Sequence, residues 1–310
     1  MISAVALSPS LDVTYRVASL HGIQRPEATR RVAGGKSLNA ARAAARLGAD
    51  VLAVAVLGGG TGDVVRRAAE EDGVRVDAVA GRHLTRTCVS VSAASTGDLT
   101  EVYEQATRVE PDELESLLAR VAARARARPG WWLVSGALPT SLPDDTLSRL
   151  VRVLHDAGVR VAVDSHGPAL ASAVDTDPPD LVKVNRAEAA EVLGLPVDTP
   201  LGELVRSLRA RAGVLAVVTD GTAGVAASDG DVGLVARLDG HVGDYPVGSG
   251  DSFLGALLVA LDRGDGLADA LALATAAATA NAQVPGAAVF SPELVGRLVP
   301  EVRVGVLAGA

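Results

Sequence analysis

Short apolar runs alternate with stretches of helical periodicity along most of this chain, and this alternation restricts the fold more than any other sequence feature. The apolar runs have the length of buried strands, and the stretches between them carry apolar residues at helical spacing. Strand-like runs occupy residues 2–7, 51–57, 131–134, 159–163, 181–184 and Leu215–Thr219, and helical stretches occupy 37–47, 64–72, Pro111–Ala127, 144–155 and Leu201–Ala212. This order requires right-handed crossovers. The sequence therefore predicts the α/β class, with a doubly wound, mostly parallel sheet flanked by helices.

Two segments depart from this alternation. Residues 13–33 and 85–103 alternate apolar and polar side chains with no helix between them, which is typical of half-buried strands. We expect extra strands outside the main sheet, inserted at about residues 12–33 and 84–105, that form a small β lid. Because no linker or repeat divides the chain, we expect one domain over residues 1–310.

Composition excludes several classes of protein. The formal charge is −8 and aromatic residues make up 2%, so neither a basic face nor a stacking surface for nucleic acid is expected. The single cysteine, Cys88, has no internal disulfide partner, and the N-terminal apolar run is strand-like rather than leader-like. The apolar stretch 267–284 contains Asp269 and Asn281, which favours a buried helix over a membrane span. We expect a soluble, cytoplasmic protein that binds neither nucleic acid nor a membrane.

A glycine-rich turn, Gly248-Ser249-Gly250-Asp251, precedes an apolar helix at residues 252–261. Backbone N–H groups at such a helix start form a cradle for a phosphate group, because they lie at the positive end of the helix dipole. A carboxylate beside the cradle is suited to accept a proton from a substrate hydroxyl during phosphoryl transfer. A flexible turn with Asp251 as a capping acid explains the same residues.

The segment Gly34-Gly35-Lys36-Ser37 imitates the end of a P-loop, but Arg30 stands where that pattern requires a glycine. The turn allows a small polar ligand to approach the backbone, with Lys36 and Asn39 as donors, and a simple helix start fits equally well.

Glycines also crowd residues 58–62, directly after a strand-like run. The third glycine position of a dinucleotide-binding fingerprint falls on Asp63, so a dehydrogenase is a weak alternative.

Polar residues follow three of the apolar runs. Asn185 and Glu188 have the spacing of a helix-capping pair, and the same oxygens suit a magnesium ion bound through water. The glycines of 219–224 suit either a loop along a nucleotide or a hairpin turn. Asp12 is either a bidentate acceptor for sugar hydroxyls or a polar residue at a strand end.

Lysine is rare in this chain. Of 29 basic residues only Lys36 and Lys183 are lysine. The two lysines are therefore expected at positions that need a compact ammonium group instead of the planar guanidinium of arginine.

Taken in order, these residues resemble the PfkB carbohydrate kinases, the ribokinase-like group, along nearly the whole chain. The motifs that carry the resemblance are Ser8-Pro9-Ser10-Leu11-Asp12, Gly34-Gly35-Lys36 with Asn39, Ser135-Gly136-Ala137-Leu138-Pro139, Val163-Asp164-Ser165, Lys183-Val184-Asn185 with Glu188, and Val247-Gly248-Ser249-Gly250-Asp251-Ser252. The resemblance implies MgATP as the phosphoryl donor and Asp251 as the base.

The same resemblance assigns further roles. The residues implied to form the anion hole are Gly248, Ser249 and Gly250. Those implied to hold the sugar are Asp12, Gly34, Gly35 and Asn39. Those implied to line the nucleotide are Lys183, Asn185, Thr219, Gly221 and Gly224, with Asn281 near the base. Glu188 is implied to bind magnesium through water, a monovalent cation is a further implied cofactor, and the lid is implied to pair two subunits in a homodimer.

Within the family, the chain is most similar to the 1-phosphofructokinase and tagatose-6-phosphate kinase branch. Arg25, Lys36 and Arg86 are therefore expected to converge on a substrate phosphate through charge-assisted bonds. Three departures from the family pattern are Ser249 in place of alanine, Pro246 near a usual threonine, and residues 104–107 in place of a proline-glycine segment.

The departures keep alternatives open. The leading expectation is transfer to a phosphorylated hexose of the fructose 1-phosphate or tagatose 6-phosphate type. A kinase of a free sugar or nucleoside fits if Arg25 and Arg86 are solvated surface charges. A nucleotide-binding protein without turnover fits if Pro246 and the changed lid segment preserve binding but not chemistry.

Overall fold

The structure, a computed structural model, describes residues 1–307. Its strands in chain order are β1 (Ile2–Ala6), β2 (Ser10–Val17), β3 (Ala28–Gly34), β4 (Val51–Gly58), β5 (Val74–Gly81), β6 (Arg86–Ala93), β7 (Leu99–Tyr103), β8 (Trp131–Ser135), β9 (Arg160–Asp164), β10 (Leu181–Asn185), β11 (Leu215–Thr219), β12 (Val225–Ser228), β13 (Gly233–Arg237) and β14 (Arg303–Val306). Its helices are α1 (Lys36–Arg46), α2 (Gly59–Glu71), α3 (Pro111–Ala127), α4 (Thr146–Asp156), α5 (Gly167–Thr176), α6 (Arg186–Leu193), α7 (Leu201–Ala212), α8 (Ser249–Arg263), α9 (Leu267–Ala282) and α10 (Pro292–Leu298).

Within the described residues, ten strands form one sheet in the order β14-β13-β12-β11-β10-β9-β8-β1-β4-β5. All pairs from β11 to β5 are parallel, and the pairs between β11 and β14 are antiparallel. The predicted α/β class with a mostly parallel sheet is therefore confirmed. The antiparallel edge was not predicted, because no strand-like run was identified in the sequence after residue 219.

Helices cover both faces of this sheet, and alternate side chains of each strand enter different cores. In β1, Ile2, Ala4 and Ala6 join the core beneath α1, α8 and α9, whereas Val5 joins the core beneath α3 to α7. Strands buried on both faces explain the continuous apolar runs in the sequence. Among residues 1–307, no helix has both the length and the apolarity that crossing a membrane requires.

The sequence predicted the ends of α3 and α7 correctly, because local signals mark them. Pro111 occupies the first turn of α3, and Glu110 and Glu113 form a capping box there. Helix α8, by contrast, begins at Ser249 instead of residue 252. Asp251 therefore lies inside the first turn of the helix, and Gly248 is its N-cap.

A separate four-stranded sheet has the order β3-β2-β6-β7 and contains the two segments of alternating polarity. Strands β2 and β6 pair in parallel at its centre, with Asp12 opposite Cys88. This second sheet leads directly into α1, because β3 ends at Gly34 and α1 begins at Lys36.

Helix α1 enters the main sheet where the strand order reverses, between β1 and β8. The hydroxyl of Ser37 lies 2.7 Å from the carbonyl oxygen of Val5 and accepts the N–H of Ser135 at 2.9 Å. One side chain thus links the carboxyl ends of both strands. Ligands of open α/β sheets bind in the crevice at such a reversal.

Helices α1 and α8 pack closely because Gly255 has no side chain. A Cβ on Gly255 would lie 2.4 Å from the carbonyl oxygen of Ala40 and 3.0 Å from the Cβ of Ala43. Any larger residue must push the two helices apart, and with them the residues at their first turns.

Replacing Gly255 by alanine is expected to lower the free energy of unfolding by about 1–3 kcal/mol, because the added methyl group overpacks the helix contact. Gly296→Ala is the matched control, since Gly296 also lies in a helix but has open space around its Cβ position. The control should change stability by no more than about 1 kcal/mol, in the favourable direction. Urea unfolding curves measure both, and equal effects in the two variants would contradict the close contact.

Candidate active site

Four parallel strands end in polar residues at the same edge of the sheet. Strands β8, β9, β10 and β11 end at Ser135, Asp164, Asn185 and Thr219. The first turns of α1 and α8 meet this edge, where Asn39 of α1 contacts Asp251 of α8.

The turn before α8 leaves backbone donors without helix partners. Gly248 has a φ of 80°, and a Cβ there would lie 2.4 Å from the Cβ of Ala287, so both conformation and packing require glycine. The N–H of Ser249 bonds the carbonyl oxygen of Pro246, and intrahelical bonding begins with the N–H of Ser252. No side chain of the described residues caps this helix start. The N–H groups of Gly250 and Asp251 therefore lie at the positive end of the helix dipole, as an anion site requires.

Asn281 holds this turn from behind. Its side chain donates to the carbonyl oxygen of Val247 at 2.8 Å and to the hydroxyl of Ser249 at 3.2 Å. Its Oδ1 accepts the hydroxyl of Ser252 and the N–H of Ala288. Asn281 is fully buried, and its proximity to a nucleotide base stays a prediction. It braces the turn because its amide can satisfy donors and acceptors from two segments at once.

Asp251 is a buried carboxylate with one strong donor. Its side chain is 7% exposed, and its Oδ2 accepts the side-chain N–H of Asn39 on α1 at 2.9 Å. Burial, reinforced by the charge of Asp164, raises the pKa of Asp251 from its ordinary 3.8 to about 6, against the opposing effects of Asn39, Lys183 and Lys36. A carboxylate with a pKa near neutrality is suited to accept and release a proton.

The two lysines of the chain both bind Asp164, whose role was missed from the sequence. Asp164 is fully buried, and its two oxygens lie 3.4 Å from Nζ of Lys36 and 2.6 Å from Nζ of Lys183. Lys36 also lies 3.6 Å from Glu188. Although burial opposes ionisation of Asp164, the charges of Lys183 and Lys36 lower its pKa below the ordinary value. The scarcity of lysine and the motifs that contain these three residues were the sequence signals for this cluster, and neither indicated that they bond one another.

Asn185 and Glu188 form the predicted capping box of α6. The N–H of Glu188 donates to Oδ1 of Asn185 at 2.9 Å, and Oε2 of Glu188 accepts the N–H of Asn185 at 2.8 Å. One carboxylate oxygen of Glu188 is thus used by the backbone, and the other faces Lys36. Within residues 1–307, no group of three or more His, Cys, Asp or Glu side chains is arranged to hold a metal ion.

A cavity of about 410 Å³ adjoins the first turn of α8. Of the residues assigned to a nucleotide, Thr219, Gly221 and Gly224 line it, together with Ser249 and Gly250. The segment from Thr219 to Gly224 is also the hairpin connection between β11 and β12. Lys183 and Asn185 do not line this cavity. Lys183 bonds Asp164 instead, and Asn185 caps α6.

A smaller cavity lies between the second sheet and the turn before α8. Its lining includes Asp12, Cys88, Glu101, Tyr103 and Tyr245. Burial raises the pKa of Asp12, opposed by a hydrogen bond from Ser10 and by the charges of Arg42 and Arg86. Two of the three tyrosines of this aromatic-poor chain line the cavity.

Glycines bring backbone close to Asp12. A Cβ on Gly34 would lie 2.1 Å from the carboxyl carbon of Asp12, and one on Gly35 would lie 2.7 Å from the carbonyl oxygen of Ser8. Gly35 also has a φ of 91°. On the neighbouring helix, Oδ1 of Asn39 is buried and has no hydrogen-bond partner among the described residues. Asp12 and Asn39 therefore offer acceptor atoms for the hydroxyl groups of a ligand.

The three basic residues assigned to a substrate phosphate do not meet at a common partner in the structure. Lys36 bonds Asp164, and Arg25 is exposed. Arg86 donates to the carbonyl oxygens of Ser8 and Glu104, both at 3.3 Å, and its Nε is buried with no partner among the described residues. Convergence of these groups on one anion remains a prediction.

Substitution of Asp251 by asparagine is expected to stabilise the protein at neutral and alkaline pH. Since folding raises the pKa of this carboxyl, the wild type loses stability as pH rises from about 4 through about 6. A rise of about two pKa units corresponds to up to about 3 kcal/mol, and the variant avoids this loss. Urea unfolding at about pH 4 and about pH 8 measures the effect, and an equal gain at both pH values would contradict the raised pKa.

Comparisons with known proteins identify the family of this chain. A model of the pfkB family carbohydrate kinases matches residues 9–294. A curated 1-phosphofructokinase of Xanthomonas campestris pv. campestris is 31% identical over 312 residues, which cover 97% of each chain.

Solved structures share the fold. Phosphofructokinase-2 from Escherichia coli in complex with potassium superimposes with a TM-score of 0.89 at 24% identity, over 96% of this chain and 98% of that one. Ribokinase of Arabidopsis thaliana complexed with ribose and ATP has a TM-score of 0.71 at 22% identity, over 96% of this chain and 98% of that one. With the family model covering almost the whole chain and a relative above 30% identity along its full length, this protein belongs to the pfkB family of carbohydrate kinases.

Proposed function

We propose that this kinase transfers the γ-phosphoryl group of MgATP to a hydroxyl group of a phosphorylated hexose of the fructose 1-phosphate or tagatose 6-phosphate type. Asp251 is the base that accepts the hydroxyl proton, and the turn from Gly248 to Gly250 is the anion hole. The observation that carries the proposal is a buried carboxylate, with a pKa of about 6, in the first turn of a helix whose N–H groups are uncapped.

The arrangement separates the tasks of phosphoryl transfer. The backbone N–H groups at Gly250 and Asp251 stabilise negative charge on the transferred group, because they are fixed and need no reorganisation. The carboxylate of Asp251 takes the proton of the sugar hydroxyl that receives the phosphoryl group. Asn39 fixes the carboxylate by its hydrogen bond, and its own free oxygen is available to a sugar hydroxyl.

The residues present fit MgATP. The cavity lined by Thr219, Gly221 and Gly224 opens onto the anion hole and has room for a nucleoside. MgATP supplies the phosphoryl group when bound. Magnesium retains several waters and is usually held through one or two carboxylates and substrate phosphates, so Glu188 is the residue proposed to bind it, through water. Lys36 and Lys183, fixed by Asp164, add positive charge beside the phosphate path.

Two observations support a phosphorylated acceptor. The curated relative with 31% identity is a 1-phosphofructokinase. Arg86 also lies near Asp12, since its positive charge opposes the rise in the pKa of Asp12, and its Nε has no hydrogen-bond partner among residues 1–307. A substrate phosphate would satisfy this donor with a charge-assisted bond.

A free sugar is the second candidate acceptor. Glu104 places its carboxylate on the N–H of Thr87 at 2.7 Å, next to Arg86. A carboxylate there opposes binding of a second anion. The altered segment 104–107 therefore favours a neutral acceptor, whereas Arg86 favours a charged one.

Asp251→Asn is expected to lower kcat by about 10²–10⁴, because the general base is lost while the fold is retained. Asp269→Asn is the matched control, since Asp269 is also in the first turn of a helix but is exposed. ADP release, measured by a coupled assay with saturating MgATP, reports both. Unchanged turnover by Asp251→Asn would refute the base, and a wild type that binds MgATP without turning over any sugar would favour a binding protein.

Arg86→Met is expected to raise KM for the phosphorylated hexose about tenfold to a hundredfold, since a charge-assisted hydrogen bond contributes about 1.5–3 kcal/mol. KM for MgATP should not change. Arg75→Met is the control, because Arg75 pairs with Asp50 at the opposite edge of the sheet. A panel of free and phosphorylated sugars decides the acceptor, and turnover of free sugars alone would contradict the leading proposal.

We also propose a homodimer through the second sheet and activation by a monovalent cation. Val102 and Tyr103 lie on β7, the edge strand of the second sheet, and are 64% and 50% exposed. Exposed apolar residues at a sheet edge favour contact with another protein surface. Structures of Escherichia coli phosphofructokinase-2 include a tetrameric form and a potassium complex.

A further inference from the structure

A buried arginine of α1 joins three separate segments around the proposed site. Arg42 is fully buried, and its Nε donates to Oδ2 of Asp72 at 2.6 Å. Its Nη1 donates to the carbonyl oxygen of Ala33 at 3.1 Å and to that of Ala287 at 3.0 Å. Ala33 precedes the glycine pair beside Asp12. The guanidinium therefore fixes the end of the second sheet relative to the segment behind the anion hole.

Arg46 completes the arrangement one helical turn later. Its Nη2 donates to the other oxygen of Asp72 at 2.7 Å, and its Nε donates to the carbonyl oxygen of Ala288 at 2.7 Å. The two oxygens of Asp72 thus bond two different guanidinium groups, and these bonds fix the orientation of both arginine side chains. We call Arg42, Arg46 and Asp72 the arginine clamp.

The clamp grips a strained piece of backbone. Among residues 1–307, Ala288 is the one non-glycine residue with a positive φ, 52°. This conformation is unfavourable for alanine and persists only where surrounding contacts enforce it. Its N–H is held by Asn281 and its carbonyl by Arg46. Strain of this kind clusters at functional sites.

The strained segment is in contact with the anion hole. The Cβ of Ala287 occupies the space where Gly248 would otherwise carry a side chain, at 2.4 Å from that position. Ala287 also lines the cavity that contains Asp12. A shift of this segment therefore moves the turn that holds the phosphoryl group and one wall of the acceptor site together.

We propose that the arginine clamp positions the anion hole for phosphoryl transfer by holding Ala287 and Ala288 against Gly248. Its members are positioning residues that touch neither substrate. Lysine cannot replace either arginine, because one ammonium group cannot bond a carboxylate and a distant carbonyl with fixed geometry. The inference rests on the proposed function of the Gly248 turn.

Arg46→Ala is the main test, because Arg46 is partly exposed and its loss is tolerated by folding better than loss of buried Arg42. We expect kcat to fall about tenfold to a hundredfold, because a small misplacement of catalytic groups has an effect of this size. KM for MgATP should not change. Asp72→Asn should reproduce this pattern. Arg263→Ala is the matched control, since Arg263 also bonds a carbonyl, that of Leu47, at the opposite end of α8.

Chemical rescue separates positioning from general stability. Arg46, Asp72 and Val289 line a cavity of about 350 Å³ that admits a guanidinium ion. Added guanidinium, at a concentration well below that which unfolds the protein, should restore kcat of Arg46→Ala. Sodium chloride at equal ionic strength should not restore kcat. The Arg46→Lys variant should show the same low kcat as Arg46→Ala. Potassium is kept constant throughout.

The outcomes are distinct. Unchanged kcat in Arg46→Ala, an equal fall in Arg263→Ala, or failure of guanidinium to restore kcat would each overturn the clamp. If the wild type transfers no phosphoryl group to any sugar, the proposed function fails instead. Unfolding midpoints of all variants, measured in the same buffer, show that the assayed proteins are folded.

Discussion

The contact between α1 and α8 is the constraint on which the candidate site depends. Gly255 allows the two helices to touch, and their first turns therefore meet at the carboxyl edge of the sheet. Asn39 from α1 reaches Asp251 from α8 across 212 residues of sequence. Ser37 fixes the same turn of α1 to β1 and β8. The proposed base, the donor that orients it and the anion hole are thus parts of one rigid unit, as precise catalysis requires.

Charge is distributed unequally between two neighbouring carboxylates. Asp164 is paired with Lys36 and Lys183, so its pKa is lowered and it stays ionised. Asp251 is buried beside that fixed charge and has a neutral amide as its partner, so its pKa is raised. Pairs of titratable groups whose environments separate their pKa values divide their roles in this way. Here Asp164 positions two lysine side chains, and Asp251 is the proposed base.

The departures from the family pattern are absorbed by local structure. The hydroxyl of Ser249 accepts from Asn281, and the carbonyl oxygen of Pro246 accepts the N–H of Ser249. Neither change removes a backbone donor at Gly250 or Asp251. Glu104 has a larger effect, because it introduces a carboxylate beside Arg86 where the acceptor is expected to bind.

By itself the sequence determined the alternation of strands and helices, the ends of α3 and α7, the capping pair at Asn185 and Glu188, and the glycine turn before Asp251. These features depend on side-chain period, helix capping and backbone dihedral preferences, which act between residues close in the chain.

Only the tertiary structure decided the partners of Asp164, Asn281 and Arg42. The sequence placed Asp164 in a motif and Asn281 in an apolar helix near the expected nucleotide, but it identified no partner for either and gave no signal for Arg42. Their partners lie far away in sequence, as with Arg42 and Ala287, 245 residues apart. Strand order and helix packing bring such groups together. Because a buried charge or amide without a partner costs free energy, each of these groups must be buried together with its partner.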